Sequence, residues 1–494
     1  MTPSSAHASP DGNGTPETSG RWTPRLAGVL LALTWPTQLV TAVVILGSNS
    51  LASVAQVFHT TQVVWFTLVV TLVYTLFTPF LFKLGDLYGR KRIMVAVTGL
   101  GVVGDSVAAM AGHYWLVLVG RALGAGYGVF PALAYPAIRD IFPAKLVKSA
   151  SGLLASAGGL VALASPFLAA WLVDGWGYRG GLWFLASVSA VAFVLVVFLV
   201  PETPRHAFDS GFDWLGGLTL GGGLSALVYV LGRGDEWGWG SGETLSWITG
   251  GALALVAFVL VERSASYPIL NLKVLRRRSV ATVLLSASWG QAVAFSAPTI
   301  SILLALYPHI PGVSDGLGWS VHHNAVITAP ASVIVFLIGV YSSRLMRRVD
   351  ARLLARCGLA LMALGFLLMG SFHADETQLM WTMCVANLGG GTVVAAAPVM
   401  VVGAVTPDEH GQASGTLIML LGLFSALFGA LFFAVLDAHS TVMKGTAFYS
   451  DSGYTAALRL GGLLGLVALA IALFIPPLRE PERDAAALPV PAAH

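Results

Sequence analysis

Charge is scarce in this chain. Asp, Glu, Lys and Arg make up only 10% of its 494 residues, while 56% are hydrophobic and the mean hydropathy is +0.78. Soluble domains carry about a quarter charged residues, so a water-soluble fold is excluded. Cysteine is almost absent: Cys357 and Cys384 both fall at or inside apolar runs. Neither a disulfide framework nor a thiolate metal centre is expected. The first ~20 residues, rich in Ser, Thr, Gly and Pro, lack the basic start and apolar core of a cleavable signal peptide and read as a disordered tail. No Walker loop, H-E-x-x-H pair or nucleophile constellation stands in the context its chemistry requires, so ATP-driven transport and enzymatic activity are not expected. No cofactor or metal is implied. The net charge of +3 is an orientation signal and not a nucleic-acid one.

What remains is a series of apolar stretches of about 18–25 residues, the length that crosses a ~30 Å hydrocarbon core. Fourteen are read, at roughly 26–47, 62–82, 93–111, 114–137, 150–173, 181–200, 214–232, 245–261, 280–306, 324–341, 357–372, 378–403, 412–436 and 455–475, with ends good to about 2–4 residues. With both termini inside, the cytoplasmic segments hold 22 of the 27 Lys and Arg. The outer loops then hold Arg179, Arg233 and Lys444, and the spans hold Arg121 and Arg459. Adding or dropping one span would flip every later loop and destroy that asymmetry. The spans divide as six, two and six. The expected organisation is a cytoplasmic tail (1–22), an N-terminal six-helix bundle (23–205), two inserted helices (206–265), a C-terminal six-helix bundle (266–478) and a second tail (479–494). Arg outnumbers Lys 21 to 6 beside heavy Ala, Gly and Val usage, which points to a GC-rich bacterium and its cytoplasmic membrane.

Between the second and third spans, residues 82–94 read FKLGDLYGRKRIM. Leu84, Asp86, Gly89, Arg90 and Lys91 match the loop motif of the major facilitator superfamily, and Arg92 extends its basic end. Phe82 and Leu87 depart from it, standing where the motif has Gly and Arg. Residues 339–352 echo the pattern in the second half through Gly339, Arg344, Arg347 and Arg348, with Ser343 in the place of the Asp and Met346 in that of the second Gly. Phe212 to Gly216, Trp237-Gly238-Trp239, and Glu262-Arg263 with Pro268 resemble the inserted pair of the fourteen-helix drug:proton antiporter branch. The resemblance covers about residues 45–480. It implies an all-α polytopic membrane protein with the major facilitator fold, two six-helix bundles and two inserted helices.

The resemblance also implies roles. Asp86, Gly89, Arg90, Lys91 and Arg92, with Arg139 and Asp140, would form a cytoplasmic gate, since the family's loop charges engage neighbouring helix ends. Arg121 matches an Arg implicated in proton handling, although Gly124-Ala125 replaces the family's Gln-Gly. Asp105 is one of very few carboxylates within spans and lies at similar depth in a hairpin turning near Gly112. Desolvation favours its neutral form and a guanidinium its ionised form, as a proton switch or a permanent ion pair would each require. The branch carries an Asp in helix 1, but that position falls near Val40, and the helix has no acidic residue, although Thr41 survives. Gly152, Ser165 and Pro166 keep part of the branch's small-residue ladder in helix 5, without its glycines.

Trp35, Gln38, Tyr74, Trp289, Gln291, Trp381 and Asn387 lie at mid-span and are candidates to line a substrate path. Aromatic rings with sparse amides suit large amphiphiles, although a Trp near a span end serves equally as an interfacial anchor. His309, His322 and His323 beside Asp315 invite a pH-sensor or metal reading, with plain solvated loop histidines as the alternative. The leading expectation is a proton-coupled secondary exporter of amphipathic small molecules, working as a monomer in the bilayer with no nucleic-acid partner. A mover of lipid-like metabolites without standard proton antiport is the alternative. A non-transporting sensor is disfavoured because no sizeable soluble domain is visible.

Overall fold

The computed structural model describes residues 22–203, 213–265, 276–346, 349–406 and 409–477, and leaves aside the side chains of a few helical positions, Asp86 among them. Helix α1 spans Pro24–Phe58, with the Thr23 hydroxyl accepting from the Leu26 N–H at 3.3 Å and Pro24 opening the first turn. It is 35 residues long, about 52 Å, and outruns the expected span at its far end. That extension stays helical because it is buried. Asn49 and Ser50 turn their polar groups back onto the carbonyls of Ile45 and Leu46, at 2.9 and 2.7 Å, which removes the cost of burying them.

Next come α2 (Trp65–Tyr88), α3 (Arg90–Met110), α4 (Tyr114–Gly124), a 3-10 turn (Ala125–Val129) and α5 (Phe130–Ile141). Helix α6 runs from Ala144 to Leu199, broken at one residue, Gly177, with φ +65°. The sequence predicts two spans with a loop here; the loop has shrunk to a single left-handed residue, a conformation glycine adopts without a Cβ penalty. α7 (Trp214–Leu231), a one-turn α8 (Gly234–Trp237) and α9 (Gly242–Ser264) form the middle segment. The remainder is α10 (Arg278–Ser296), α11 (Pro298–Leu306), α12 (Val321–Leu345), α13 (Ala351–Met369), α14 (Glu376–Ala404), α15 (His410–Asp437) and α16 (Asp451–Leu473). Two small antiparallel hairpins interrupt the all-helical expectation: β1 (His309–Ile310) with β2 (Ser314–Asp315), and β3 (Ser440–Met443) with β4 (Thr446–Tyr449). Every residue of β4 is buried, so this hairpin plugs into the bundle.

Among the described residues, twelve helices are long and apolar enough to cross a membrane, and a shorter apolar stretch, Trp65–Thr78, lies within α2. The fourteen spans expected from sequence are not reached by this measure. One of the twelve is the 55-residue run Lys145–Leu199 that Gly177 divides. Bulky apolar residues such as Phe198, Leu218 and Leu253 stand exposed on the outside, as a lipid-facing surface requires.

The helices before Val200 and those after Arg277 pack as two sets. They meet chiefly along two seams, α6 against α12 and α2 against α15, with α1 also touching α11 and β4. On the first, a Cβ at Gly159 would sit 3.3 Å from the Phe336 ring; on the second, a Cβ at Gly422 would overlap Thr75. The α7–α9 pair lies beside the second seam, with Trp214 against Phe80 (5.7 Å between ring centroids) and Phe258 and Leu220 against Met419. The ends of the molecule differ in kind. One carries the Gly89–Arg90 corner, here the knot end; the other carries both β-hairpins, here the hairpin end.

Candidate functional site

At the knot end the whole connection between α2 and α3 is Gly89, at φ +99° and ψ +131°, a conformation closed to other side chains at low cost. Its N–H bonds to the Gly85 carbonyl at 3.0 Å, and α3 starts at once. That start presses Arg90 inward until it is 8% exposed. The Arg90 backbone N–H donates to the Thr203 hydroxyl at 3.0 Å, and its guanidinium pairs with the Asp140 carboxylate on α5. Two of the expected gate residues therefore meet. Lys91 is half-buried, and Arg92 and Arg139 are exposed. The Asp86 side chain, like residues 347–348 of the second-half echo and both tails, lies outside the described residues.

A second polar centre lies inside the first helix set. Asp105 on α3 is 2% exposed. Its Oδ2 accepts hydrogen bonds from the Ser189 hydroxyl on α6 at 2.6 Å and the Tyr127 hydroxyl at 3.1 Å. Close approach makes this possible. A Cβ at Gly104 would lie 2.6 Å from the Gly120 carbonyl, and one at Gly120 would lie 2.6 Å from the Gly104 carbonyl, so α3 and α4 touch backbone to backbone.

Arg121, the partner expected from sequence, points elsewhere. Its Nε donates to the Phe66 carbonyl at 3.3 Å, its guanidinium lies 4.6 Å over the Phe66 ring, and the small face of Gly47 gives it room. Asp105 and Arg121 feel each other's charge without a hydrogen bond between them. The two polar side chains that do hold Asp105 were not foreseen. Tyr127 sits in the segment after the Arg motif, and Ser189 comes from an apolar span whose other polar side chain is Ser187, so only tertiary packing identifies them. A small void lined by Val40, Val70, Tyr74 and Tyr127 adjoins this centre. Val40 is the residue near which the resemblance to the drug-antiporter branch would put that branch's helix-1 carboxylate.

The path candidates do not form one surface. Gln38 donates to the Leu154 carbonyl at 3.0 Å, joining α1 to α6. Trp289 stacks among Phe424 and Phe428 at 5.1 and 4.9 Å while its indole N–H bonds to the Leu464 carbonyl at 2.9 Å. Gln291 is buried with its amide nitrogen lacking a partner, and Asn387 turns onto the Met383 carbonyl at 3.0 Å. Trp35 bonds to Val188 at 3.0 Å and is 37% exposed, whereas Trp381, 63% exposed near the start of α14, has the placement of an interfacial anchor. Of the expected helix-packing residues, Ser165 is buried and Pro166 lies within α6, but Gly152 faces open space, so no close helix contact depends on it.

The histidines of the hairpin end disperse. His323 pairs with Glu376 at 2.8 Å and His309 lies opposite Asp315 in the β1–β2 register. Among the described residues no group of three His, Cys, Asp or Glu could hold a metal. Polar ties between the helix sets appear here instead. Asp174, near the Gly177 corner, accepts the backbone N–H groups of Val321 and His322 at 3.1 and 2.8 Å, capping α12. Asn324 donates to Asn49 at 3.4 Å, and Thr446 in β4 donates to the Ala55 carbonyl at 3.3 Å.

A model described as Major Facilitator Superfamily matches residues 26–354 and 292–492. The chain belongs to the major facilitator superfamily. It is a multi-pass membrane protein of a family of transporters and not of enzymes. It is 30% identical over 404 residues, 76% of its length, to a protein of Streptomyces coelicolor named a probable actinorhodin transporter, covering 67% of that protein. It is 24% identical over 337 residues to the multidrug transporter protein MdtP of Bacillus subtilis, 67% of this chain and 60% of that one. It is also 25% identical over 363 residues to the multidrug resistance protein Stp of Mycobacterium tuberculosis, 72% of this chain and 65% of that one. The chain thus spans between about half and two thirds of the length of such relatives, and resembles the drug:proton antiporter branch. Among solved structures, a peptide-transporter-family (POT) protein in complex with 5-aminolevulinic acid matches with TM-score 0.63 at 13% identity, over 92% of this chain and 95% of that one. The human organic anion transporter MFSD10 matches with TM-score 0.56 at 16% identity, over 91% and 100%. At those identities the likeness is one of fold.

Proposed function

We propose that the protein is a proton-coupled secondary exporter of amphipathic small molecules, drugs or antibiotics among them, in a bacterial cytoplasmic membrane. The observation that carries the coupling is the buried Asp105 held by two neutral hydroxyls. Such a carboxyl can gain and lose a proton without breaking an ion pair, and its Tyr127 partner lies at the void beside Val40, near which the resemblance would put the related branch's own acid. Arg121 then acts as a nearby fixed charge that favours the ionised state. The 30% identity to a protein named a probable actinorhodin transporter supports a small-molecule substrate, and the Trp289–Phe424–Phe428 cluster supplies aromatic contacts suited to an amphipathic one.

We also propose fourteen crossings with both termini cytoplasmic and the knot end inside. Gly177 divides one long apolar run, and α2, at 24 residues, is long enough to cross although its apolar stretch is short. The charge asymmetry of the loops sets the direction. A reporter fused after His494 that read as external would sink this topology.

The test of coupling is transport by the purified protein in proteoliposomes with and without an imposed pH gradient. Asp105→Asn keeps the shape and most hydrogen bonding but cannot cycle a proton, so substrate binding is retained and uphill transport is lost. Normal gradient-driven transport by this variant would remove Asp105 from the mechanism. The apolar helix 1 favours a second reading, a mover of lipid-like metabolites without proton antiport, which predicts that wild-type transport ignores the gradient.

A further inference from the structure

Arg459 is one of two basic residues placed within spans, and nothing above employs it. It is the ninth residue of α16, about 12 Å from the helix start. It is exposed, and Leu463, Leu466 and Val467, one to two turns further along, are exposed too, at 54%, 41% and 43%. This face therefore looks into lipid. A guanidinium there needs an anion, yet among the described residues no carboxylate pairs with it. Its hydrogen bond to the protein is a long one, 3.4 Å from Nη2 to the Ser371 hydroxyl.

The surroundings form a cleft of about 630 Å³ between the end of α13 and the start of α16. Gly370 makes room for the arginine stem: a Cβ there would lie 2.7 Å from Arg459 Cγ. Ser452 and Thr455 bring hydroxyls to the same wall. The cleft's other titratable side chains, His373 and Asp451, pair with each other. His373 Nδ1 lies 2.7 Å from the Met369 carbonyl, and Nε2 lies 2.9 Å from Asp451. Asp315 accepts the Asp451 N–H at 2.9 Å but does not line the cleft. Arg459 is thus the charged side chain of this cleft that has no charged partner among the described residues.

We propose that this cleft binds the phosphodiester of an anionic phospholipid in the leaflet at the hairpin end, with Arg459 gripping the phosphate and the acyl chains lying along Leu463 and Leu466. A guanidinium forks onto two phosphate oxygens, and the apolar stripe leading inward from the cleft suits a lipid rather than a free anion. The proposal rests on the membrane fold and is independent of the transported substrate.

The test is native mass spectrometry of the full-length protein in lipid-free detergent, titrated with phosphatidylglycerol, phosphatidylcholine or inorganic phosphate. Wild type should retain phosphatidylglycerol about five-fold better than phosphatidylcholine, the effect of one basic residue on an anionic lipid. Arg459→Gln should erase that preference, and Asp451→Asn, which removes a carboxyl from the cleft wall, should preserve or strengthen it. The absence of a preference in wild type, which needs no variant to fold, would overturn the proposal. So would an unchanged preference in monodisperse Arg459→Gln, or displacement of phosphatidylglycerol by millimolar inorganic phosphate as readily as by more lipid.

Discussion

The knot end and the hairpin end differ in the polar contacts described between the two helix sets. At the knot end the pairs described each stay within one helix set: Arg90 with Asp140, Arg277 with Glu409 at 2.8 Å, and Asp350 with Arg352 at 2.5 Å. Arg356 likewise turns back onto the carbonyls of Ala472, Leu473 and Ile475. At the hairpin end the pairs His323–Glu376 and His373–Asp451 also stay within one set, but further ties run between the sets, through the Asp174 cap on α12, the Asn49–Asn324 amides and Thr446 on Ala55. The largely buried Arg90–Asp140 pair braces one half as a body, and caps and neutral bonds join the bodies. A carboxylate cap is worth about 1 kcal/mol and a neutral hydrogen bond about 0.5–1.5 kcal/mol net. A few such ties sum to the size of the gap between two populated conformations. The contacts joining the two sets at the hairpin end are individually weak enough to trade for others.

The largest effect should come from breaking a brace. Arg90→Ala leaves the Asp140 carboxylate, 18% exposed, without its cation. A loss of about 2 kcal/mol is expected, below the 3–5 kcal/mol of a fully buried pair because water reaches one side. Transport should fall at least about ten-fold, and unfolding in detergent should come earlier. Removing both partners with Asp140→Ala should recover part of the stability. An Arg90→Ala protein as stable and active as wild type would end the distinction between the two ends.

Asp174→Ala tests a tie. Losing a cap of about 1 kcal/mol shifts the balance roughly five-fold toward a state open at the hairpin end. Spin labels on either side of the seam should report longer distances, with folding stability little changed. A variant that unfolds earlier but leaves the distances alone would make Asp174 a brace after all. Asn49→Ala and Asn324→Ala should each act in the same direction by about 0.5–1 kcal/mol, and the double variant should fall short of their sum. Strict additivity would mean that the 3.4 Å contact carries nothing.

The smallest effect concerns acid. Glu409 takes the Thr406 backbone N–H at 3.2 Å and the Arg277 guanidinium, and these hold its carboxyl below the ordinary value of 4.5. Because the folded value is the lower one, its stabilising contribution is complete above about 4.5 and disappears as the pH falls through the folded value. Unfolding temperatures measured from pH 6 to pH 3 should drop slightly less for Glu409→Gln than for wild type. Equal slopes would show that this exposed pair does nothing for the knot end.

Much of the scaffold was legible in the sequence, because crossing a bilayer demands long apolar runs and a sidedness of Lys and Arg that local reading detects. The Gly89–Arg90 corner was legible for the same reason: a tight turn between two helices leaves few residue choices. The partnerships of Asp105 were not. Depth along a hairpin put Arg121 level with it, but rotation about each helix axis decides which faces meet, and that is set by glycine contacts such as Gly104 on Gly120 and by a third helix that brings Ser189. The Asp174 cap was hidden because it joins positions 147 residues apart, and a helix N-terminus accepts any nearby carboxylate.

The corner at Gly177 has a mechanical consequence. The chain folds back so sharply there that a Cβ at Gly180 would sit 2.8 Å from the Leu172 carbonyl, and helical bonding resumes on both sides of one residue. Most turns between spans carry spare contour length that can stretch or be cut; this one has no slack. A protease finds no extended segment to grip there, and an inserted tag would have to unwind helix to fit. Asp174, three residues before the corner, therefore rides on a stiff elbow. Any tilt that pulls it from the tip of α12 reaches the following arm of α6 at once, making that cap a trigger with a rigid lever behind it.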